Sequence, residues 1–234
     1  MAPYTPAALA ADITAALGPR LLSLVQYGST ARPAAPPGSP VDTLLICDRV
    51  DDTLLTALEP PVRRWMAAGH PAPLVFSARE WRSSTDTFAV EYGDIRAAHR
   101  VLAGGDPWVG IAVDRMSERR QLERELRGKV LRLRQGYLAS RGDGRAMEAL
   151  ARDSIGGWLT MLRAVLRLAG RTVPDAPTDV VRVSADLMGF APEPVASLVA
   201  TARDSGPPRL APGDPRVAAY LAAVARTADY VDSL

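Results

Sequence analysis

The residues of this chain that could do chemistry are few. Gly28-Ser29 closes an apolar run, Leu21 to Tyr27, and Asp42 stands near the start of the next, Val41 to Cys47. A glycine lets the backbone approach a phosphate closely, and a serine hydroxyl with nearby backbone N–H groups can hold one. The same pair serves equally well as a strand-to-turn junction, and Asp42 as a turn or cap residue before a strand. His70 and His99 are the only histidines, and neither has a His or Cys partner at metal-ligand spacing. Ser29 does not sit in a Gly-x-Ser-x-Gly elbow, which argues against serine-hydrolase chemistry. Cys47 is the sole cysteine, so there is no internal disulfide and no thiolate zinc site.

These residues need elements to position them. The spacing of Leu9, Ile13, Ala16 and Leu17 predicts a helix over Pro6 to Leu17, closed by Gly18-Pro19. Leu21 to Tyr27 reads as a strand, and a proline-rich loop with Pro33, Pro36, Pro37 and Pro40 leads to a second strand, Val41 to Cys47. Leu54, Leu55, Leu58, Val62 and Trp65 share one side of a helix from Asp52 to Ala68, which Glu59-Pro60-Pro61 is expected to divide. Pro73 to Ala78 and Thr87 to Tyr92 are further strand candidates.

The run Ala103-Gly104-Gly105-Asp106-Pro107 is a turn and the expected domain boundary, with one domain over 1–107 and a second over 108–234. Beyond it only helices are expected: Met116 to Ser140, Ala146 to Ala169, Asp179 to Leu187, Pro192 to Ala202 and Asp214 to Asp232. The first of these places Leu122, Leu126, Val130, Leu133 and Tyr137 on its apolar side. The fold class is therefore α+β: a mixed sheet with flanking helices, followed by an all-α helical bundle.

Composition narrows the function classes. The 28 basic and 26 acidic residues leave a net charge of +2, and Lys129 is the only lysine. The arginine-rich stretch Arg115 to Arg134 interleaves Glu118, Glu123 and Glu125, which reads as a solvated face with i,i+4 pairs. It lacks the aromatic interleaving that would stack single-stranded bases, and this speaks against nucleic acid as a partner. No stretch approaches the roughly 18 consecutive apolar residues of a membrane span, and the N-terminus lacks a basic and an apolar leader region, so a cytoplasmic location is expected.

The segment Val25-Gln26-Tyr27-Gly28-Ser29, then a loop, then Pro40-Val41-Asp42-Thr43-Leu44-Leu45-Ile46 resembles the signature of the polymerase-beta-like nucleotidyltransferase superfamily. That signature is an apolar strand ending in Gly-Ser, then a strand that starts Asp-x-Asp. The resemblance implies a nucleotidyltransferase-type sheet and a nucleoside triphosphate held at Gly28 and Ser29. It also implies magnesium shared by carboxylates that point to one face of the strand. Asp42 falls at the second carboxylate position and Pro40 at the first, where no side chain can bind metal. A third carboxylate, from a later strand, is assigned to Glu91, with Asp94 the next candidate. Asp42 and Glu91 are thus the catalytic and metal-binding candidates, two carboxylates where the family has three.

Further on, Asp86 to Arg96, then Val101 to Gly104, then Glu123 to Lys129 resemble uncharacterised bacterial proteins described as nucleotidyltransferase-domain proteins. Helical domains attached to such transferases sometimes resemble HEPN ribonucleases, but the helical half here has no histidine for that chemistry.

Three functions remain open at this point. One is a noncatalytic or weakly active protein with a degenerate metal site that binds a nucleotide or a protein partner in a cleft between the domains. Another is a magnesium-dependent transferase that moves a nucleoside monophosphate onto a small molecule or protein. The last is an interaction module, a homodimer or antitoxin-like partner, using the apolar faces of the C-terminal helices.

Overall fold

The structure is a computed structural model that describes residues 4–33, 38–140, 142–203, 210–211 and 213–234. Pro36 and Pro37 of the proline-rich loop lie outside the described residues. The chain divides into two compact units, Met1–Asp114 and Arg115–Leu234.

The first unit opens with α1 (Pro6–Leu17), where the Thr5 side chain caps the helix by accepting from the Ala8 N–H and Pro6 presets the first turn. Then come β1 (Leu21–Tyr27), β2 (Asp42–Cys47) and α2 (Asp52–Ala67), whose Asp51 cap accepts from the Leu54 N–H at 2.8 Å. β3 (Leu74–Ser77), α3 (Ala78–Ser83), α4 (Ala89–Ala97) and β4 (His99–Gly104) complete it. The sheet order is β3-β2-β1-β4, with β1 antiparallel to both neighbours and β2 parallel to β3.

Both faces of the central strands are covered, which is why they read as continuous apolar runs. Leu24, Leu45 and Cys47 point to one face, where Leu9 and Ile13 of α1 and Leu54, Leu58 and Trp65 of α2 pack. Val25, Leu44 and Ile46 point to the other, against Trp81, Tyr92, Ile95, Trp108 and Ile111. Trp108 and Ile111 follow the Gly104–Pro107 turn yet belong to this core.

Several expectations are corrected. Thr87 to Tyr92 is not a strand: α4 starts at Ala89, with the Tyr92 N–H on the Phe88 carbonyl at 2.9 Å. Six residues are too few to separate the two periods. Carried on to Ala97, the segment places Tyr92 and Ile95 one turn apart on the core face. The strand is instead His99–Gly104, an edge strand that His99 opens. The expected break in α2 is also absent. Pro60 and Pro61 sit inside one 16-residue helix. Proline 60 leaves the Thr56 carbonyl without its i+4 donor, but Thr56 is exposed and water can serve it, while Leu54, Leu58, Pro61 and Trp65 hold both halves on one core. Leu55 turns outward at 48% exposure.

The second unit is wholly helical among its described residues: α5 (Arg115–Ser140), α6 (Gly144–Leu168), α7 (Pro177–Met188), α8 (Pro192–Arg203) and α9 (Pro215–Asp232). α5 packs on α6 and α9. Leu122, Leu126, Val130 and Leu133 are buried, as are Trp158, Leu159 and Leu162 of α6, whereas Tyr137 is 37% exposed. Buried Trp158 donates to Thr227 Oγ1 at 3.3 Å, and the Ser154 and Tyr220 hydroxyls meet at 2.7 Å. The arginine-rich face of α5 pairs between helices rather than only along itself. Arg127 reaches Asp229 and Asp232 on α9, and Glu118 receives Arg167 of α6 at 3.1 Å. No helix among the described residues is long and apolar enough to cross a membrane.

Candidate functional site

The chemistry-bearing residues of the first unit gather at the end of the sheet where β1 finishes and β2 begins. Tyr27, the last residue of β1, stands opposite Asp42 on one side and opposite His99 on the other. The chain then enters a tight 3₁₀ turn, Gly28–Ala31. Gly28 has φ +74°, a conformation that disfavours any residue with a Cβ. A Cβ built there would lie 3.5 Å from Asp42 Oδ2, so the glycine backbone and the carboxylate are close neighbours.

Five hydrogen bonds fix this corner. The Gly28 N–H donates to the Ala98 carbonyl at 3.0 Å, tying the turn to the end of α4. Buried Gln26 donates from Nε2 to the Thr30 carbonyl at 2.9 Å and accepts from Arg100 Nη2 at 2.6 Å. Arg32, just past the turn, forms a 2.9 Å ion pair with Asp94 of α4. On the far side of Asp42, the Val41 N–H donates to His70 Nδ1 at 3.2 Å.

Electrostatics group the acidic residues around Tyr27. Burial first, then the charges of Asp42, Asp94 and Glu91, push the Tyr27 phenol up to about 12. Asp42 is half-buried, and loss of water raises its carboxyl above the usual carboxylate range.

The structure therefore brings Gly28, Ser29 and Asp42 to one corner. Glu91 approaches from α4, a helix rather than the expected strand, and Asp94 is engaged by Arg32. Pro40 is exposed ahead of β2. Among the described residues no group of three His, Cys, Asp or Glu side chains could hold a metal ion. Magnesium requires near-octahedral oxygen ligands but commonly takes one or two carboxylates, with phosphates and water completing its shell. Of the donors present, Asp42 could hold such an ion through its carboxylate, and the adjoining Gly28–Ser29 turn could hold phosphate.

Sequence reasoning did not find Gln26, Arg32 or Arg100, nor the place of His99 beside Tyr27. Arg32 is the first basic residue after Gly28-Ser29, but nothing local ties it to a carboxylate 62 residues away.

This mixed four-stranded sheet with helices on both faces, continued by a helical second unit, is a nucleotidyltransferase-like α+β fold. The chain is similar in structure to a spectinomycin adenyltransferase, AAD(9) from Enterococcus faecialis, solved with ATP and spectinomycin. The TM-score is 0.59 over 96% of this chain and 98% of that one, at 11% sequence identity, so the likeness is one of fold. No family model and no curated protein matches the sequence.

Proposed function

We propose that this chain is a nucleotidyltransferase-fold protein with a depleted metal site, which binds a nucleoside triphosphate at the Gly28–Ser29 turn and is at most a slow transferase. The observation that carries this reading is the juxtaposition of Asp42 with the Gly28 backbone while Pro40 occupies the place of the partner carboxylate. A single magnesium ion on Asp42 can orient a triphosphate. Two-metal clamping of both the attacking and the leaving oxygen needs more carboxylates than stand here. The similarity to a structure solved with ATP supports a nucleotide as the ligand.

The test is calorimetric titration with ATP, GTP, CTP and UTP, with and without magnesium, on the parent protein, Asp42→Ala and Ser29→Ala. Magnesium-dependent binding that both substitutions abolish supports the proposal. No binding of any of the four triphosphates defeats it.

A second reading, self-association through the helical unit, is favoured by Leu131 and Leu138. They lie seven residues apart on α5 and are 60% and 76% exposed. Light scattering on the parent and on a Leu131→Glu/Leu138→Glu variant decides it. A monomeric parent removes this reading.

A further inference from the structure

Lys129 is the only lysine among the 28 basic residues of the chain. In the second unit it borders a cavity of ≈ 200 Å³ between α5 and α6, lined by Lys129, Arg132 and Leu133 of α5 and by Leu150, Asp153 and Ser154 of α6.

The ammonium is anchored by one residue only. Lys129 Nζ donates to the Ser154 carbonyl at 3.0 Å and, more weakly, to Ser154 Oγ at 3.5 Å, a hydroxyl already engaged with that of Tyr220. An ammonium has three donors, so at least one is left over. Its approach is open from α6. Gly157 is exposed, one turn past Asp153 and Ser154, and a Cβ built there would lie 3.6 Å from Nζ. The ammonium therefore ends beside an exposed helix position that has no side chain to cover it. Gly128 does the same for Arg132, whose Nη1 lies 3.2 Å from where a Cβ would stand. Glycine inside a helix costs stability relative to alanine, and here it keeps both cations accessible.

The charges of this cleft are unmatched. Among the described residues Lys129, Arg132 and Asp153 form no ion pair. Glu125, the acid that acts on Lys129, accepts a hydrogen bond from Gln121 Nε2 at 2.6 Å. Burial first, then the Arg132 charge, hold the Lys129 amine below its ordinary value against the opposing pull of Glu125. Two like charges in a half-buried cleft call for a counter-ion. With Asp153 included, the lining carries two positive charges and one negative, which matches a monoanion and disfavours a dianion.

We propose that this cleft binds a small monocarboxylate with an apolar body, its carboxylate shared by Lys129 Nζ and the Arg132 guanidinium and its hydrocarbon against Leu133 and Leu150. Every residue of the site lies on α5 or α6, and none on the elements of the Gly28–Asp42 corner. The site therefore stands whether or not a nucleotide binds at that corner.

Because Lys129 is the sole lysine, protein labelled with ¹³C at lysine Cε gives a single side-chain resonance. The full chain is titrated with butyrate, butyramide and inorganic phosphate while that resonance and the Ser154 amide are followed by NMR. Butyrate is expected to bind saturably and to shift both signals, and butyramide and phosphate to bind about tenfold more weakly. Lys129→Met keeps the apolar stem and is expected to lose about tenfold in butyrate affinity, read at the Ser154 amide. Gly157→Ala is expected to raise the thermal midpoint, since alanine favours helix, while weakening butyrate binding by crowding the ammonium. Absence of saturable butyrate binding to the parent overturns the proposal. So do butyramide or phosphate binding as tightly as butyrate, and a butyrate affinity that Lys129→Met leaves unaltered.

Discussion

Arg32 and Asp94 lie 62 residues apart in the chain and meet in a 2.9 Å ion pair whose side chains are only 7% and 12% exposed. The pair fastens the segment after the Gly28–Ala31 turn to α4, the helix that also carries Glu91. Removing one partner of a buried pair leaves the other charge stranded, at a cost of about 3–5 kcal/mol. Asp94→Ala is expected to lose about that much stability in urea unfolding. Arg32→Lys is expected to recover little of the native pairing, because a lysine ammonium does not reproduce the planar guanidinium. A loss below about 1 kcal/mol for Asp94→Ala would place the pair among solvent-screened ones.

Burial holds the Asp42 carboxyl above its ordinary value of 3.8. The folded state then binds that proton more tightly than the unfolded chain does. Asp42 costs nothing where both states are protonated and costs progressively more as pH rises through its folded-state value. Asp42→Asn is expected to raise the urea midpoint at neutral pH, with the gain shrinking as pH is lowered toward 3.8. The same substitution is expected to abolish magnesium-dependent nucleotide binding, a gain of stability at the expense of function. An unchanged midpoint at neutral pH would show a carboxylate that keeps its water.

Pro40→Asp puts a second carboxylate two residues before Asp42, on the same side of an extended chain. Position 40 is exposed, so the substitution is expected to change stability by no more than about 0.5 kcal/mol. Magnesium-dependent triphosphate binding is expected to tighten about tenfold, equivalent to about 1.4 kcal/mol. Calorimetry reads this directly, and equal affinities in parent and variant would show that the missing carboxylate is not what limits the site.

His70 accepts the Val41 N–H through Nδ1, which must therefore be unprotonated, and burial lowers its pKa below the ordinary 6.5. The unfolded chain binds the proton more readily, so His70 contributes its full stability above pH 6.5 and loses it progressively on acidification toward the folded-state value. The parent urea midpoint is expected to fall between pH 7.5 and 5.5 (a window set by an ordinary histidine pKa of about 6.5) more steeply than that of His70→Asn. Identical slopes would remove His70 as the cause.

The sequence displayed the central strands and the extents of the first two helices, because β1 and β2 are covered on both faces and α1 and α2 carry apolar residues at helical spacing, although Pro60-Pro61 suggested a break that α2 lacks. It concealed β4 because an edge strand needs no apolar run: Arg100 and Val101 are exposed, and the hydrogen bonds to β1 hold the strand. α4 was hidden by its shortness, since Ala89-Val90 with Tyr92 fits either period until Ile95 is included. At the site, Gly28, Ser29 and Asp42 were legible because they flank the strands that bear them. Gln26, Arg32 and Arg100 were not, since each acquires its role only from a partner that the folded sheet brings to it.

The order β3-β2-β1-β4 has a consequence for how the chain is made. β1 is synthesised first yet needs β4, the last strand of its unit, to cover one of its edges. A nascent or truncated chain that stops short of His99 displays β1 as a bare, strongly apolar edge open to foreign strands. Every residue of the Tyr27 corner waits on that closure, so translation must pass Gly104 before the corner exists.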